Sequence, residues 1–330
     1  MRLATTAFSF TNEWLARRFT LEQLLQRSAE LELGPGIELI GFQSWRGYPH
    51  LPAEDVLAFR RLVDELGLEA AALGAYVDLA RRVDRPMTTV EAAEFLAPQI
   101  AVANALGFPL LRLHGGIPTA VLEQLAPVAE RAGVILATEV QGGQTPESPA
   151  VASLVACLER LESPSLGLAL DFSVAMTGVP TAFVAAVCRL GMPRLAVDVL
   201  VDLWASGAAV HEVRAAVLDV DAPAAAVDEA HAGFVRFGRQ EPDAWLPLTA
   251  RVAYAHAKFW ELDDAGADPT VRTSELIDVL RDAGYDGFVS AEWGGNAWVE
   301  ADDVDSFALV GRHREHCLDL ISKPAVELRV

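Results

Sequence analysis

The chain has 330 residues, of which 52% are hydrophobic and 22% charged, a composition typical of a globular protein with a large core. A formal charge of −20 argues against nucleic-acid binding, and three scattered cysteines argue against a disulfide framework or a thiolate zinc site. With neither a signal-peptide pattern nor an apolar run of about 18 residues, we expect no membrane span and a cytoplasmic location.

Short apolar runs alternate with amphipathic helical patterns along the first half of the chain. The apolar runs predict six strands, over residues 3–10, 37–42, 68–76, 110–114, 134–140 and 166–172. Helices are predicted between them, from Thr20 to the break at Gly34 and over residues 52–66, 89–106, 118–132 and 149–161. Several strands are apolar on both faces, which indicates a parallel sheet covered by helices.

Two further strands are predicted late in the chain, over residues 252–257 and 287–292. Eight strands with following helices, in a chain of this length, predict a (β/α)₈ TIM barrel. The alternative is an open doubly wound sheet, which usually carries a glycine-rich phosphate loop after its first strand, and this sequence has none. Residues 1–330 are therefore predicted to form a single TIM-barrel domain.

The segment between the sixth and seventh strands lacks the alternation of strand and helix that the rest of the chain shows. It has helical patterns over residues 179–190, 208–218 and 222–237 and no clear strand. We interpret approximately residues 175–250 as a helical insertion after strand six, at the catalytic end of the barrel. The alternative is a separate small helical module.

Four consecutive predicted strands end in a side chain that can bind a metal ion. Glu139 ends strand five, Asp171 strand six, His256 strand seven and Glu292 strand eight. In a TIM barrel these strand ends meet at the rim that carries the active site. Any one of the four could be an ordinary polar residue at a strand end. Three carboxylates and one imidazole at equivalent positions indicate a site for Mn²⁺, Mg²⁺ or Co²⁺.

Other residues near the rim are candidates for proton transfer or substrate binding. His114 ends strand four and is a candidate general base, with a structural histidine as the alternative. Lys258 shares a strand face with His256 and could stabilise an oxyanion or act as an acid, with a salt bridge as the alternative. Metal-bound Glu139 or Glu292 is a further candidate base. The predicted substrate-binding residues are Trp45, Tyr76, Arg112, Gln141 and Trp293, with Trp260 and Trp298 as neighbouring aromatics. Packing in the core or in a lid is the alternative for about half of the aromatic residues.

The rim motifs resemble those of the xylose isomerase-like superfamily of sugar isomerases and epimerases, which are metal-dependent TIM barrels. The shared motifs are a glutamate after strand five, an aspartate after strand six, the His-x-Lys of strand seven and the glutamate of strand eight. The resemblance implies that Glu139, Asp171, His256 and Glu292 bind a divalent metal, with Mn²⁺ as the first choice. It also implies chemistry that begins with proton removal next to a carbonyl.

A narrower similarity is to the α subunits of bacterial C-glycoside deglycosidases. It rests on residues 36–41, the pair Tyr48-Pro49, residues 74–78 and the run Glu292-Trp293-Gly294-Gly295. This similarity implies cleavage of an oxo-sugar C-glycoside by β-elimination. It also implies a small β-rich partner subunit and a higher oligomer.

The sequence departs from the pattern of these families at two positions. Many relatives have a histidine where this chain has Gln141, and another near Ser173 and Val174. Glutamine is not a base near neutral pH, so either another residue acts as the base or one step has been lost. Two other functions therefore stay open, a metal-dependent ketose epimerase or isomerase acting on a free sugar, and a non-catalytic barrel that binds a sugar or a partner.

Overall fold

A computed structural model describes residues 1–81, 83–300 and 302–323. Within these residues, eight parallel strands close a barrel in chain order. The strands are β1 (Arg2–Thr6), β2 (Gly36–Ile40), β3 (Glu69–Ala75), β4 (Leu110–Leu113), β5 (Ile135–Val140), β6 (Leu166–Asp171), β7 (Val252–Phe259) and β8 (Phe288–Trp293). Strand β8 pairs with β1, from Phe288 beside Arg2 to Ala291 beside Thr5, and this pairing closes the ring. The predicted TIM barrel is confirmed.

Helices connect the strands and cover the barrel. They are α1 (Thr11–Leu15), α2 (Leu21–Glu30), α3 (Gly41–Ser44), α4 (Ala53–Glu65), α5 (Thr89–Leu106), α6 (Thr119–Ala132), α7 (Pro149–Leu161), α8 (Thr181–Arg189), α9 (Arg194–Ala205), α10 (Val210–Leu218), α11 (Ala224–Gly233), α12 (Thr273–Asp282) and α13 (Ser306–Ser322). The helix predicted from Thr20 is capped by that residue: the Thr20 hydroxyl accepts a hydrogen bond from the Gln23 backbone N–H, and Gln23 Oε1 accepts one from the Thr20 N–H. Among the described helices, none is long and apolar enough to cross a bilayer.

The barrel interior is apolar at one end and polar at the other. A small cluster of buried side chains, separate from the main core, includes Ala4, Ala137, Ala169, Tyr254 and Phe288. These residues lie in the first part or the middle of their strands, whereas Asp171, at the last position of β6, is buried and charged. The apolar end closes the barrel, and Asp171, His256 and Glu292 lie towards the rim where the strands end.

The first predicted strand is too long. Strand β1 ends at Thr6, and Ala7–Phe10 forms a 3-10 turn. The Thr6 hydroxyl accepts a hydrogen bond from the Phe8 N–H at 3.3 Å, which turns the chain. The apolar run continues through this turn because Ala7 and Phe10 are buried in the core, so hydropathy alone does not show where the strand ends.

The segment between β6 and β7 holds helices α8 to α11, followed by a 3-10 segment over Pro242–Arg251. Helix α9 is absent from the sequence-based assignment. Its apolar residues lie on more than one face: Val197 and Leu200 are buried, whereas Leu195 and Val199 are exposed. That this segment is an insertion within a single domain stays a prediction.

Candidate active site

The ends of β5 to β8 bring the four predicted metal ligands together. One ligand atom from each of Glu139, Asp171, His256 and Glu292 lies within 4.8 Å of the other three, and all four residues are buried. The strand register accounts for this: Asp171 lies beside His256 on β6 and β7, and Lys258 lies beside Glu292 on β7 and β8. Neighbouring parallel strands therefore end at one level with charged side chains pointing together.

The carboxylate of Glu38 orients the imidazole of His256 from the side that faces away from the cluster. Its Nε2 donates a hydrogen bond to Glu38 Oε2 at 2.7 Å. Its Nδ1 faces the cluster, 2.9 Å from Glu139 Oε1 and 3.0 Å from Glu292 Oε2. Burial disfavours the imidazolium, but the charges of Glu292 and Glu38 raise the pKa of His256 well above its ordinary value. A proton on Nδ1 and a divalent cation would compete for the same lone pair.

One carboxylate oxygen of the cluster, Asp171 Oδ2, has no hydrogen-bond partner among the described residues, and His256 Nδ1 and Lys258 Nζ lie 3.8 and 3.9 Å from it. The other oxygen of Asp171 accepts from the Ser173 N–H at 2.7 Å. Burial, only partly offset by Lys258, raises the pKa of Asp171. Buried, unpartnered carboxylate oxygens are costly unless a cation meets them. Because hard oxygen ligands and one imidazole suit Mn²⁺ or Mg²⁺, these residues fit a divalent metal ion.

Glu38 is a site residue that the sequence analysis missed. It is fully buried on β2 and also accepts a hydrogen bond from Arg112 Nε at 2.6 Å. Burial favours its protonated form, but Arg112 and His256 hold the pKa of Glu38 below its ordinary value. One signal was present in the sequence, since Glu38 is a single carboxylate within the apolar run of β2.

Arg112 belongs to the cluster itself. Its Nη1 donates to Glu139 Oε2 at 3.1 Å while its Nε binds Glu38, and the side chain is 4% exposed. Burial disfavours charge on Glu139, but Arg112, with His114 and His256, holds the pKa of Glu139 well below its usual range. Arg112 therefore joins two carboxylates, and its predicted contact with substrate stays a prediction.

A cavity of about 620 Å³ lies beside the cluster, and three of the predicted polar residues line it. His114 Nδ1 is 3.2 Å from Glu139 Oε2 and 3.3 Å from Gln141 Nε2. Lys258 Nζ is 3.3 Å from Glu292 Oε2. His114, Gln141 and Lys258 thus lie between the predicted metal ligands and the space where a substrate would bind.

The aromatic residues predicted to bind substrate lie in different places. The ring of Tyr76 is 5.7 Å from that of His114, and 40% of the residue is exposed. Trp45 packs on Phe59 and lines a separate groove between α2 and α4. Trp293 is buried, and its Nε1 donates to the Trp260 carbonyl at 3.1 Å. Trp260 itself lines the cavity.

The segment between β6 and β7 supplies another wall of the cavity. Val210 of α10, Ala232 of α11, and Val235 and Arg236 line it. The Gly143 N–H donates to the Val235 carbonyl at 3.0 Å, which ties this wall to the loop after β5. The cavity is therefore bounded by barrel loops on one side and by the segment between β6 and β7 on the other.

Comparison with known proteins identifies the family. A family model described as a xylose isomerase-like TIM barrel matches residues 29–178. A 3'-dehydrocarminate deglycosidase alpha subunit from Microbacterium sp. is 33% identical over 324 residues, which cover 92% of this chain and 90% of that protein. The chain belongs to the xylose isomerase-like TIM-barrel family.

Further relatives in this family are C-glycoside deglycosidase alpha subunits. One from Arthrobacter globiformis is 35% identical over 316 residues, which cover 91% of this chain and 86% of that protein. One solved structure is a D-allulose 3-epimerase from Methylomonas sp., with a TM-score of 0.58 and 16% identity, covering 97% of this chain and 98% of that one. At that identity the structural likeness shows the fold alone.

Proposed function

We propose that this chain is the alpha subunit of a divalent-metal-dependent C-glycoside deglycosidase that cleaves an oxo-sugar C-glycoside by β-elimination. The observation that carries the proposal is the buried four-residue cluster, in which Asp171 Oδ2 has no hydrogen-bond partner among the described residues, next to a cavity of about 620 Å³. The names of the relatives supply the substrate class. A cavity of this size suits a ligand larger than one sugar ring, such as an aryl glycoside.

Glu139, Asp171, His256 and Glu292 would hold the ion, with Mn²⁺ as the first choice and Mg²⁺ or Co²⁺ as alternatives. When bound, the ion would supply a Lewis acid that stabilises negative charge on a substrate oxygen. Glu38 and Arg112 would keep His256 and Glu139 in the orientation that binding requires. Because the pKa of Glu139 lies well below its usual range, Glu139 is better suited to binding a cation than to accepting a proton.

His114 is the general base of the proposed reaction. Its side chain is half exposed at the cavity wall, and Gln141 beside it cannot take a proton. His114 would remove the proton next to the sugar carbonyl, and the electron pair left on that carbon would form a double bond to its neighbour. The bond from that neighbour to the aryl carbon then breaks, and the aryl carbon leaves with the bonding pair.

Lys258 is the proposed acid that returns a proton to the leaving aryl carbon. Burial disfavours its charge, but Glu292 and Asp171 raise the pKa of Lys258, which keeps the ammonium protonated near neutral pH. Its Nζ lies at the boundary between the cluster and the cavity. One base and one acid on the cavity wall balance the elimination without a further co-reactant.

A metal-dependent ketose epimerase is the second candidate, because the same cluster would serve it. Epimerisation removes a proton from one face of a carbon and returns one to the other face, which requires two proton-transfer groups. Among the described residues that line the cavity, His114 and Lys258 would supply these two groups, as they do in the proposed elimination. The proton-transfer residues therefore suit either reaction, and the names of the relatives favour the deglycosidase.

We also propose that the chain works with a small β-rich partner subunit in a higher oligomer. The relatives are named alpha subunits, which supports a multi-subunit enzyme. Co-expression with a candidate second subunit, followed by size-exclusion chromatography with light scattering, tests the assembly. A chain that elutes as a monomer and is fully active by itself would contradict this part of the proposal.

The test of function is release of a free aglycone from a 3-oxo-C-glucoside by the full chain with Mn²⁺ and any subunit that copurifies. We expect release to stop with EDTA and to return with Mn²⁺. Glu292→Gln should be inactive, whereas Glu69→Gln, at an exposed ion pair with Arg2, should be fully active. Conversion of free ketoses without aglycone release would select the epimerase, and metal binding without any turnover would select a non-catalytic barrel.

A further inference from the structure

Two side chains of the cavity wall carry a donor that lacks an acceptor among the described residues, and of the two only Arg236 is substantially exposed. Arg236 is half-buried and has neither a hydrogen bond nor an ion pair there. Trp260 is 3% exposed, and its indole Nε1 has no hydrogen-bond partner. The Arg236 guanidinium lies 5.5 Å from the ring centroid of Trp298, and Trp298 stacks on Trp260 with centroids 5.0 Å apart. The two donors are therefore on one side of the cavity.

The backbone that carries Arg236 is fixed from both sides. The Val235 carbonyl accepts a hydrogen bond from the Gly143 N–H at 3.0 Å, and the Gly238 N–H donates to the Ser173 carbonyl at 2.8 Å. The contact with the loop after β5 is so close that a Cβ at Gly142 would lie 2.2 Å from the Val235 carbonyl oxygen. Arg236 is thus presented to the cavity by a constrained segment tied to the loops after β5 and β6.

Arg236 differs from the other basic side chains of the cavity wall. Lys258 is paired with Glu292, and His114 contacts Glu139. In a chain with a formal charge of −20, carboxylates are abundant, so a guanidinium that pairs with none of those described is unusual. A half-buried guanidinium is well suited to an anionic oxygen group, because its planar donors match a carboxylate and it is weakly hydrated.

We propose that Arg236 recognises a carboxylate on the aromatic aglycone. This inference rests on the proposed deglycosidase function and specifies its substrate class. Arg236 acts in substrate specificity and takes no part in the proton transfers assigned to His114 and Lys258.

The test compares two 3-oxo-C-glucosides of one polyhydroxylated arene, which carries either a carboxylic acid or its methyl ester. We expect Arg236→Gln to lose roughly 10- to 100-fold in kcat/KM on the acid, mostly through KM, and less than about 3-fold on the ester. Arg236→Lys should recover part of the loss, because it keeps the charge but not the planar donor pair.

Arg239→Gln is the matched control, because Arg239 packs over Trp204 at 5.4 Å and does not line the cavity. We expect it to leave both substrates unchanged. Equal losses on acid and ester in Arg236→Gln, or no loss on either, would overturn the proposal.

Failure of the proposed function is distinguishable from failure of this inference. If the wild type cleaves neither glucoside, the deglycosidase proposal fails, and Arg236 is then tested by calorimetric titration with the free arene acid and its methyl ester. Tighter binding of the acid by roughly tenfold, lost in Arg236→Gln and kept in Arg239→Gln, would support anion recognition. Equal binding of acid and ester by the wild type would overturn it.

Discussion

Glu38 controls the face that His256 presents to the metal-binding cluster. It accepts the Nε2 hydrogen of the imidazole at 2.7 Å and the Nε hydrogen of Arg112 at 2.6 Å. With Nε2 engaged in this way, the Nδ1 lone pair of a neutral imidazole points at Glu139, Asp171 and Glu292. Contacts of this kind orient a ligand and raise its basicity, and they affect metal affinity almost as much as the ligands do.

We expect Glu38→Gln to weaken Mn²⁺ binding by roughly 10- to 100-fold, because an amide neither attracts the imidazole hydrogen as strongly nor balances Arg112. Isothermal titration of the metal-free protein with Mn²⁺ measures the effect. The control is Glu69→Gln, which removes an exposed carboxylate on β3 and should bind Mn²⁺ as the wild type does. An unchanged affinity in Glu38→Gln would show that Glu38 does not position His256.

His114→Gln should separate proton transfer from metal binding. The side chain lies at the cavity wall, half exposed, and touches Glu139 from outside the cluster. We expect kcat for aglycone release to fall by about 10²- to 10⁴-fold while the bound metal stays near the wild-type level. A loss of Mn²⁺ affinity as large as the loss of kcat would show that His114 acts by supporting Glu139 instead.

The connections after the strands set how closely the helices between β6 and β7 approach the barrel. Gly142, in the loop after β5, has φ +55° and lies against the backbone of Val235 and Arg236. Gly116, after β4, has φ +88° but no atom within 4 Å of the position of a Cβ. The two glycines therefore share a left-handed conformation and differ in the closeness of the neighbouring chain.

Substituting each glycine by alanine isolates this contact. Gly116→Ala should cost about 1 kcal/mol in the free energy of unfolding, from backbone strain alone. Gly142→Ala should cost about 1–3 kcal/mol more, because the Cβ displaces the segment that carries Arg236. Urea unfolding of both variants gives the difference. Equal costs would mean that the segment at Arg236 moves aside freely.

Most helices and strands could be predicted from local sequence patterns. The errors arose where contacts between distant parts of the chain determine the structure. Thr20 and Gln23 carry the signal for the start of α2 within four residues, so that start was visible in the sequence. The end of β1 was not, because the apolar residues after Thr6 are buried in a turn instead of a strand. Helix α9 was missed because Leu195 and Val199 leave apolar side chains on its exposed side.

The candidate site was predictable to the extent that strand ends define it. Glu139, Asp171, His256 and Glu292 were visible because parallel strands of a barrel end at one rim. Glu38 lies within β2, and the sequence alone does not show whether its side chain points into the barrel or away from it. Trp45 follows β2 closely, but α3 turns the chain and places its ring against Phe59 on the outside.

At the scale of the whole molecule, helix α13 packs against β8 and β1 and carries a buried histidine. His313 is fully buried, its Nδ1 lies 3.2 Å from the Gly266 carbonyl, and its ring lies 4.2 Å from that of Phe259. Burial lowers the pKa of His313 from 6.5 to about 4. The unfolded chain therefore binds a proton at a higher pH than the folded protein does.

This difference gives a pH dependence of stability with a defined sign. The contribution of His313 is complete above pH 6.5 and is lost as the pH falls towards 4, by about 2 kcal/mol between pH 7 and pH 5. Urea unfolding in EDTA at both pH values measures it, with His313→Gln as the comparison. The variant should lose about 2 kcal/mol less than the wild type over that interval. Equal losses in the two proteins would contradict the assignment.

The central claim is that β5 to β8 end in a divalent metal site, and elemental analysis of the purified protein tests it most directly. After incubation with Mn²⁺ and removal of free ions, we expect about one Mn²⁺ per wild-type chain, and far less in Glu292→Ala at the same degree of folding. A folded wild type that retains no ion after incubation with Mn²⁺, Mg²⁺ or Co²⁺ would contradict the metal site and, with it, the proposed chemistry.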